Sequence, residues 1–64
     1  MTLKNRLWNE YKISCHDAQW HKQGAVLTFH DLTDPAERAA KIADKTKCDV
    51  IHLSDSKVII EGFV

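Results

Sequence analysis

The sequence predicts an α+β domain of the order ββαββ, with one four-stranded, mostly antiparallel sheet and one helix packed on one face. Two observations carry this prediction. A marked helix start lies at Asp34-Pro35, near the middle of the chain, and apolar side chains alternate with polar ones on both sides of it. At 64 residues the chain is expected to form a single domain over residues 1–64, near the lower size limit for a self-sufficient core.

The central helix has a clear beginning. Asp34 is expected to cap it, because a carboxylate can accept a hydrogen bond from a free backbone N–H of the first turn. Pro35 then takes the first helical position, where its missing N–H costs nothing, and Glu37 completes a variant of the capping box. Small side chains fall on one stripe that we expect to lie against the sheet, with Ile42 at its edge. This stripe comprises Ala36, Ala39, Ala40 and Ala43.

The first part of the chain has two interpretations. Alternating apolar residues predict a strand at residues 10–16, preceded by a short helical turn. A helix over residues 2–19 would also place apolar residues on one face, but it would leave Ile13 among polar neighbours, so the strand is favoured. Residues 17–24 then form a hairpin loop with Trp20 and His21 near its tip.

The remaining strands follow from alternation and turn residues. Residues 25–32 form the second strand, in which Leu27 pairs with Ile13 of the first. After the helix, residues 50–54 and 57–63 form a second hairpin around Asp55-Ser56. Its predicted register pairs Leu53 with Val58 and Ile51 with Ile60, and all four of these residues face the helix.

One helix can cover only one face of such a sheet. The opposite face is predicted to carry apolar and polar residues in similar numbers, whereas a solvated antiparallel face is normally polar. We therefore expect this face to be covered by a second copy of the chain, by another protein, or by residues 1–7 of the chain itself. The residues predicted there are Trp8, Glu10, Lys12, Val26, His30, Leu32, Val50, His52, Ile59, Glu61 and Phe63.

The predicted partner-binding residues combine aromatic anchors with a polar rim, since buried aromatic side chains dominate many interfaces. They are Trp8, Trp20, His30, His52, Ile59 and Phe63.

Several other functional classes are disfavoured. The Cys15-x5-His21 and Cys48-x3-His52 spacings do not match a structural zinc site, so no metal is predicted. A phosphate-binding glycine loop and a serine nucleophile elbow are both missing from the sequence, and neither a cofactor nor enzymatic activity is expected. The longest apolar run falls well short of the ~20 residues of a membrane span. With no signal-peptide core at the N-terminus, the expected location is the cytoplasm.

The favoured function is a small non-enzymatic protein-binding module. By analogy of size and architecture alone, it would occlude a host protein's surface as phage or mobile-element inhibitors do. The alternative is single-stranded nucleic-acid binding by aromatic and basic residues of the first 24 positions. Those residues are Lys4, Arg6, Trp8, Tyr11, Lys12, Trp20 and Lys22. The equal numbers of acidic and basic residues, 9 of each, argue against a general polyanion-binding protein.

Overall fold

The computed structural model describes residues 2–30 and 34–64. Its elements are α1 (Leu3–Tyr11), β1 (Asp17–His21), β2 (Gly24–Thr28), α2 (Pro35–Thr46), β3 (Asp49–Ser54) and β4 (Lys57–Glu61). The strands form one sheet in the order β1-β2-β4-β3, and every neighbouring pair is antiparallel. The predicted α+β class and four-stranded sheet are confirmed, and a second helix precedes the first strand.

The predicted strand at residues 10–16 is wrong, because α1 occupies the start of this segment. The Thr2 hydroxyl caps the helix by accepting a hydrogen bond from the backbone N–H of Asn5 at 3.2 Å. Lys12 ends the helix in the left-handed conformation, at φ 58°, and its N–H donates to the Trp8 carbonyl at 2.9 Å. This left-handed residue turns the chain, so Ile13 is buried in a connecting segment and not in a strand.

The first hairpin is consequently displaced toward the C-terminus. β1 covers residues that were predicted as a loop, and it places Ala18, not Ile13, opposite Leu27. Trp20 therefore lies within a strand and not at a loop tip. β2 ends at Thr28. Leu32, predicted to end this strand, lies outside the described residues.

The second hairpin has the predicted turn but a different register. Ser54 pairs with Lys57 around Asp55-Ser56, as expected, and the ladder then shifts by one residue between His52 and Ser54. This β-bulge at Leu53 pairs Ile51 with Ile59, so the predicted Ile51–Ile60 and Leu53–Val58 pairs are wrong. Because side chains alternate between faces, a shift of one residue exchanges the two faces of β3 beyond the bulge.

Both helices pack on the same side of the sheet. Leu7 of α1 and Ile42 of α2 belong to one buried cluster, together with strand residues such as Leu27 and Val58. The cluster comprises Leu3, Leu7, Ile13, Cys15, Ala25, Leu27, Phe29, Ile42, Val58, Ile60 and Phe63. Ile59, which alternates with Val58 and Ile60 on β4, lies outside it. The sheet therefore has one face beneath the helices and one face that neither helix covers.

The buried face of α2 differs from the predicted alanine stripe. Ala39 and Ile42 are buried, whereas Ala36 and Ala40 are exposed. The cap itself is as predicted, with the Asp34 carboxylate accepting from the Glu37 N–H at 3.1 Å. Ile42, the largest apolar side chain of the helix, thus points at the core and determines how α2 is rotated.

Phe63 occupies the helix side of the sheet, contrary to the prediction that it lies on the opposite face. The chain turns after β4 at Gly62, whose φ is 77° and whose N–H donates to the Gln23 carbonyl at 2.8 Å. Phe63 then contacts Tyr11 edge-on at 5.7 Å and stacks with Trp20 at 5.8 Å between ring centroids. It is only 4% exposed, so it cannot anchor a partner in this conformation.

Candidate protein-binding surface

The face of the sheet opposite the helices, called the open face below, is organised in three cross-strand rows. Its central row runs through the middle of all four strands, and three of its members are apolar. From β1 to β3 it comprises Gln19, Val26, Ile59 and Ile51. An antiparallel register places such residues directly beside one another, so the row forms a continuous apolar band.

The two flanking rows are polar and charged. The row at one end of the strands comprises Asp17, Thr28, Lys57 and Ser54, and the row at the other end comprises His21, Gly24, Glu61 and Asp49. The two rows differ in charge. On β4, the first row carries the basic residue Lys57 and the second row carries the acidic residue Glu61. The open face is an apolar band between two rows of distinct charge.

Within the central row, the residues of the two edge strands, Gln19 and Ile51, are exposed, whereas Val26 and Ile59 between them are partly or fully buried. Ile59 is only 3% exposed because Val26 and Ile51 lie on either side of it, whereas Ile51 at the sheet edge is 44% exposed. The bulged residue Leu53, two positions along the same strand, is 55% exposed. The most accessible apolar side chains of this region, Ile51 and Leu53, therefore belong to β3, an edge strand, whereas Ile59 is nearly inaccessible.

Trp20 and Phe63 are the two predicted binding residues that the structure brings together. Trp20 lies opposite Ala25, on the row facing the helices, and its ring is 55% exposed over Phe63. The Arg6 guanidinium lies 4.9 Å from the Phe63 ring and 6.0 Å from the Trp20 ring, and it donates to the Val64 carbonyl at 2.7 Å. These contacts join α1, β1 and the C-terminal residues.

Trp8 is separate from that aromatic pair. It lies on α1, is 52% exposed and has the Lys12 ammonium 5.2 Å from its ring centroid. Helical positions 6 and 8 are about 200° apart around the axis, so Trp8 and Arg6 point to opposite sides of α1. The predicted aromatic and basic residues therefore do not share one surface.

The two predicted rim histidines also lie off the open face. His30 follows β2 and stacks against His16, with ring centroids 3.7 Å apart. His52 is exposed but pairs with Val58, whose side chain is in the core, so it lies on the helix side of the sheet edge. Of the six predicted partner-binding residues, Ile59 is the one on the open face. Whether the others bind a partner elsewhere stays a prediction.

Sequence reasoning missed Ile51 on the open face, the exposed bulge residue Leu53 of the same edge strand, and Lys57 in a flanking row. The first two were predicted to lie beneath the helix, and the third was not assigned. The run Val50-Ile51-His52-Leu53 is compatible with either register, since apolar residues occur at both odd and even positions. No local signal marks the bulge that decides between them.

Both cysteines are free thiols. Burial raises the pKa of the Cys15 thiol above its ordinary value of 9.0, an effect that nearby Asp17 adds to and Lys4 opposes. A thiol with a raised pKa is a poor nucleophile at neutral pH. The Cys48 thiol donates to the Thr46 carbonyl at 3.4 Å. Within residues 2–30 and 34–64, no three His, Cys, Asp or Glu side chains are grouped closely enough to hold a metal ion.

The helices themselves are short. α1 has nine residues and α2 has twelve, and in the described part of the chain no helix is long and apolar enough to cross a membrane.

Comparison with protein-family models, with curated proteins and with solved structures finds no match for this chain. Function must therefore be inferred from the exposed residues themselves.

Proposed function

We propose that this protein is a small non-enzymatic binding module that contacts a protein partner through the open face and thereby occludes the surface it covers. One observation carries the proposal. Both helices pack on the same side of the sheet, so neither helix covers the apolar central row, which ends at the exposed Ile51 of β3. An exposed apolar band with a polar rim is typical of a protein-binding surface.

The energetics favour a modest interaction. Complete burial of an isoleucine or leucine side chain contributes about 1.5–3 kcal/mol. Ile51 and Leu53 have roughly half of their surface left to bury, so together they would supply about 1.5–3 kcal/mol. The charged flanking rows would orient the partner and exclude partners of unsuitable charge. The geometry therefore suits a specific but reversible contact.

The edge position of β3 adds a second means of contact. β3 has β4 on one side only, so part of its backbone hydrogen-bonding capacity faces outward. An extended segment of a partner can add to such an edge as a further strand. Neither lysine nor proline occurs in Asp49–Ser54 to block this, although the bulge at Leu53 limits the straight part of the edge. These features favour a protein as the partner.

The alternative function, single-stranded nucleic-acid binding, is favoured by one local observation. Trp8 presents an exposed ring beside the Lys12 ammonium, a combination on which a base can stack while its phosphate is neutralised. The open face offers no comparable aromatic group, because its central row contains aliphatic residues and Gln19. This function would therefore use α1 and not the sheet.

The two functions are separated by a capture experiment with the immobilised full chain and host lysate, analysed by quantitative mass spectrometry. We expect Ile51→Glu to lose the specifically captured proteins, because a charge in the apolar row cannot be buried against an apolar partner surface. Val64→Glu is the matched control, since it places the same charge at an exposed apolar residue off the open face.

Equal capture by both variants would contradict the proposal. Capture that is removed by nuclease and lost with Trp8→Ala would instead favour nucleic acid. Circular dichroism melts of each variant establish that the fold is retained.

A further inference from the structure

We propose that the open face binds a second copy of the same chain, around a two-fold axis that lies parallel to the sheet and runs along the central row. This inference rests on the proposed function and identifies its partner. The register of the strands brings different charges to the two ends of the open face, and these charges determine how two copies can meet.

The axis determines which residues meet. A two-fold rotation about the central row keeps each strand over the same strand of the other copy but reverses its direction. The central row therefore lies over itself. Ile51 meets the partner's Ile51 and the partly exposed Val26 meets the partner's Val26, whereas Ile59 is only 3% exposed and adds little contact area. The two flanking rows exchange places, so each lies over the other row of the second copy.

The exchange makes the charges complementary. Glu61 comes to lie opposite the partner's Lys57, and by symmetry Lys57 lies opposite the partner's Glu61. On β1, Asp17 comes to lie opposite the partner's His21 in the same way. Each favourable pair thus occurs twice, and none of these positions faces a residue of like charge. Such complementarity specifies the orientation of two surfaces.

The other face-to-face symmetry fits less well. An axis parallel to the strands would place β1 over the partner's β3 and would stack each row on itself. Ile51 would then meet the partner's Gln19. Asp49 would meet the partner's His21, as Asp17 does in the first arrangement, but Glu61 would meet the partner's Gly24 and Lys57 the partner's Thr28, so both Lys57–Glu61 pairs would be lost. The axis along the central row is therefore favoured both by its apolar contacts and by its ion pairs.

The size of the face indicates a reversible dimer. Four strands about 4.8 Å apart and five residues of about 3.3 Å each give a flat area of roughly 300 Å². Stable protein interfaces bury about 800 Å² per partner. The dimer should therefore form at high protein concentration, and its ion pairs should weaken as salt is added.

The test is sedimentation equilibrium of the full chain at low salt and at concentrations up to millimolar. We expect the wild type to associate reversibly and Lys57→Glu or Glu61→Lys each to weaken association by about tenfold, because two attractive pairs become repulsive. The double variant Lys57→Glu/Glu61→Lys should restore association, since the exchanged charges again face one another. An equimolar mixture of the two single variants should associate for the same reason.

Folding of the monomer should not confound the result. Lys57 and Glu61 are four residues apart on one strand, about 13 Å, so they do not pair within one chain. Lys47→Glu is the matched control, because it makes the same change of charge at an exposed residue beyond α2, and it should leave association unchanged.

A wild type that stays monomeric at millimolar concentration would overturn the proposal. So would a double variant that associates no better than the single variants. If the chain is monomeric but Ile51→Glu still abolishes capture from lysate, the proposed function stands and its partner is a different protein. If both results are negative, the open face has neither role.

Discussion

Gly24, the first residue of β2, lies where a side chain would collide with β4. Its φ is 149°, a conformation that other residues rarely adopt, and a Cβ built on it would overlap the Ile60 carbonyl oxygen. Gly62 also has a positive φ, of 77°, but a Cβ there would meet open space. A side chain at Gly62 would therefore strain only the backbone, whereas a side chain at Gly24 would also clash with the neighbouring strand.

We expect Gly24→Ala to be much more destabilising than Gly62→Ala. The first change forces β2 and β4 apart as well as straining the backbone, at a cost of about 3 kcal/mol or more. The second change costs about 1–2 kcal/mol, the penalty for a side chain at positive φ. Urea unfolding followed by circular dichroism measures both values. Equal destabilisation would show that the strands do not approach closely at Gly24.

α2 packs against the sheet through a narrow stripe of buried side chains, Ala39 and Ile42. Ile42 is 3% exposed and Ala39 is 8% exposed. Ala40, adjacent in sequence to Ala39, faces solvent, and the Glu37–Lys41 ion pair at 3.1 Å lies on the exposed side. Because adjacent helical residues are rotated by about 100°, neighbouring alanines have entirely different surroundings.

We expect Ala39→Leu to destabilise the protein by roughly 1–3 kcal/mol, because the larger side chain must push α2 away from the sheet. Ala40→Leu, which adds the same atoms on the solvent side, should change the free energy of unfolding by less than about 0.5 kcal/mol. The thermal melting temperatures of the two variants provide the comparison. The reverse ranking would mean that α2 is rotated from the orientation described above.

Phe63 links elements that lie far apart in the sequence. It follows the last strand, contacts Tyr11 at the end of α1 and Trp20 of β1, and has the Arg6 guanidinium over its ring. It therefore connects the C-terminal end of the chain to the first helix and the first strand. In a protein this small, one such contact represents a large part of the total stability.

We expect Phe63→Ala to unfold much of the protein at 25 °C. Deleting a buried phenylalanine costs about 3–5 kcal/mol, whereas the total stability of a chain of this length is about 3–10 kcal/mol. Trp8→Ala is the control, because its ring is half exposed and its loss should be tolerated. The readouts are circular dichroism and the fluorescence of Trp20. A folded Phe63→Ala variant with wild-type stability would contradict this account of the core.

The features determined by sequence alone are those set by neighbouring residues. The α2 cap at Asp34, the turn at Asp55-Ser56 and the sheet strands around them depend on local hydrogen bonds and backbone preferences. The capping signal of α1 at Thr2 is equally local, but the alternation of Tyr11, Ile13 and Cys15 concealed it. Tyr11 is the last residue of the helix, and Ile13 and Cys15 are buried in the segment that follows it. Their alternating burial resembles that of a strand, so periodicity alone does not distinguish the two structures.

Tertiary contacts determine which face of β3 is buried and whether Phe63, near the C-terminal end, is buried. Both registers of β3 place apolar groups toward the helices, and the bulge at Leu53 selects between them through packing against β4. The burial of Phe63 likewise depends on α1 and β1, elements far from it in sequence. The open face, and with it the candidate binding surface, is thus a property of long-range contacts that local patterns do not contain.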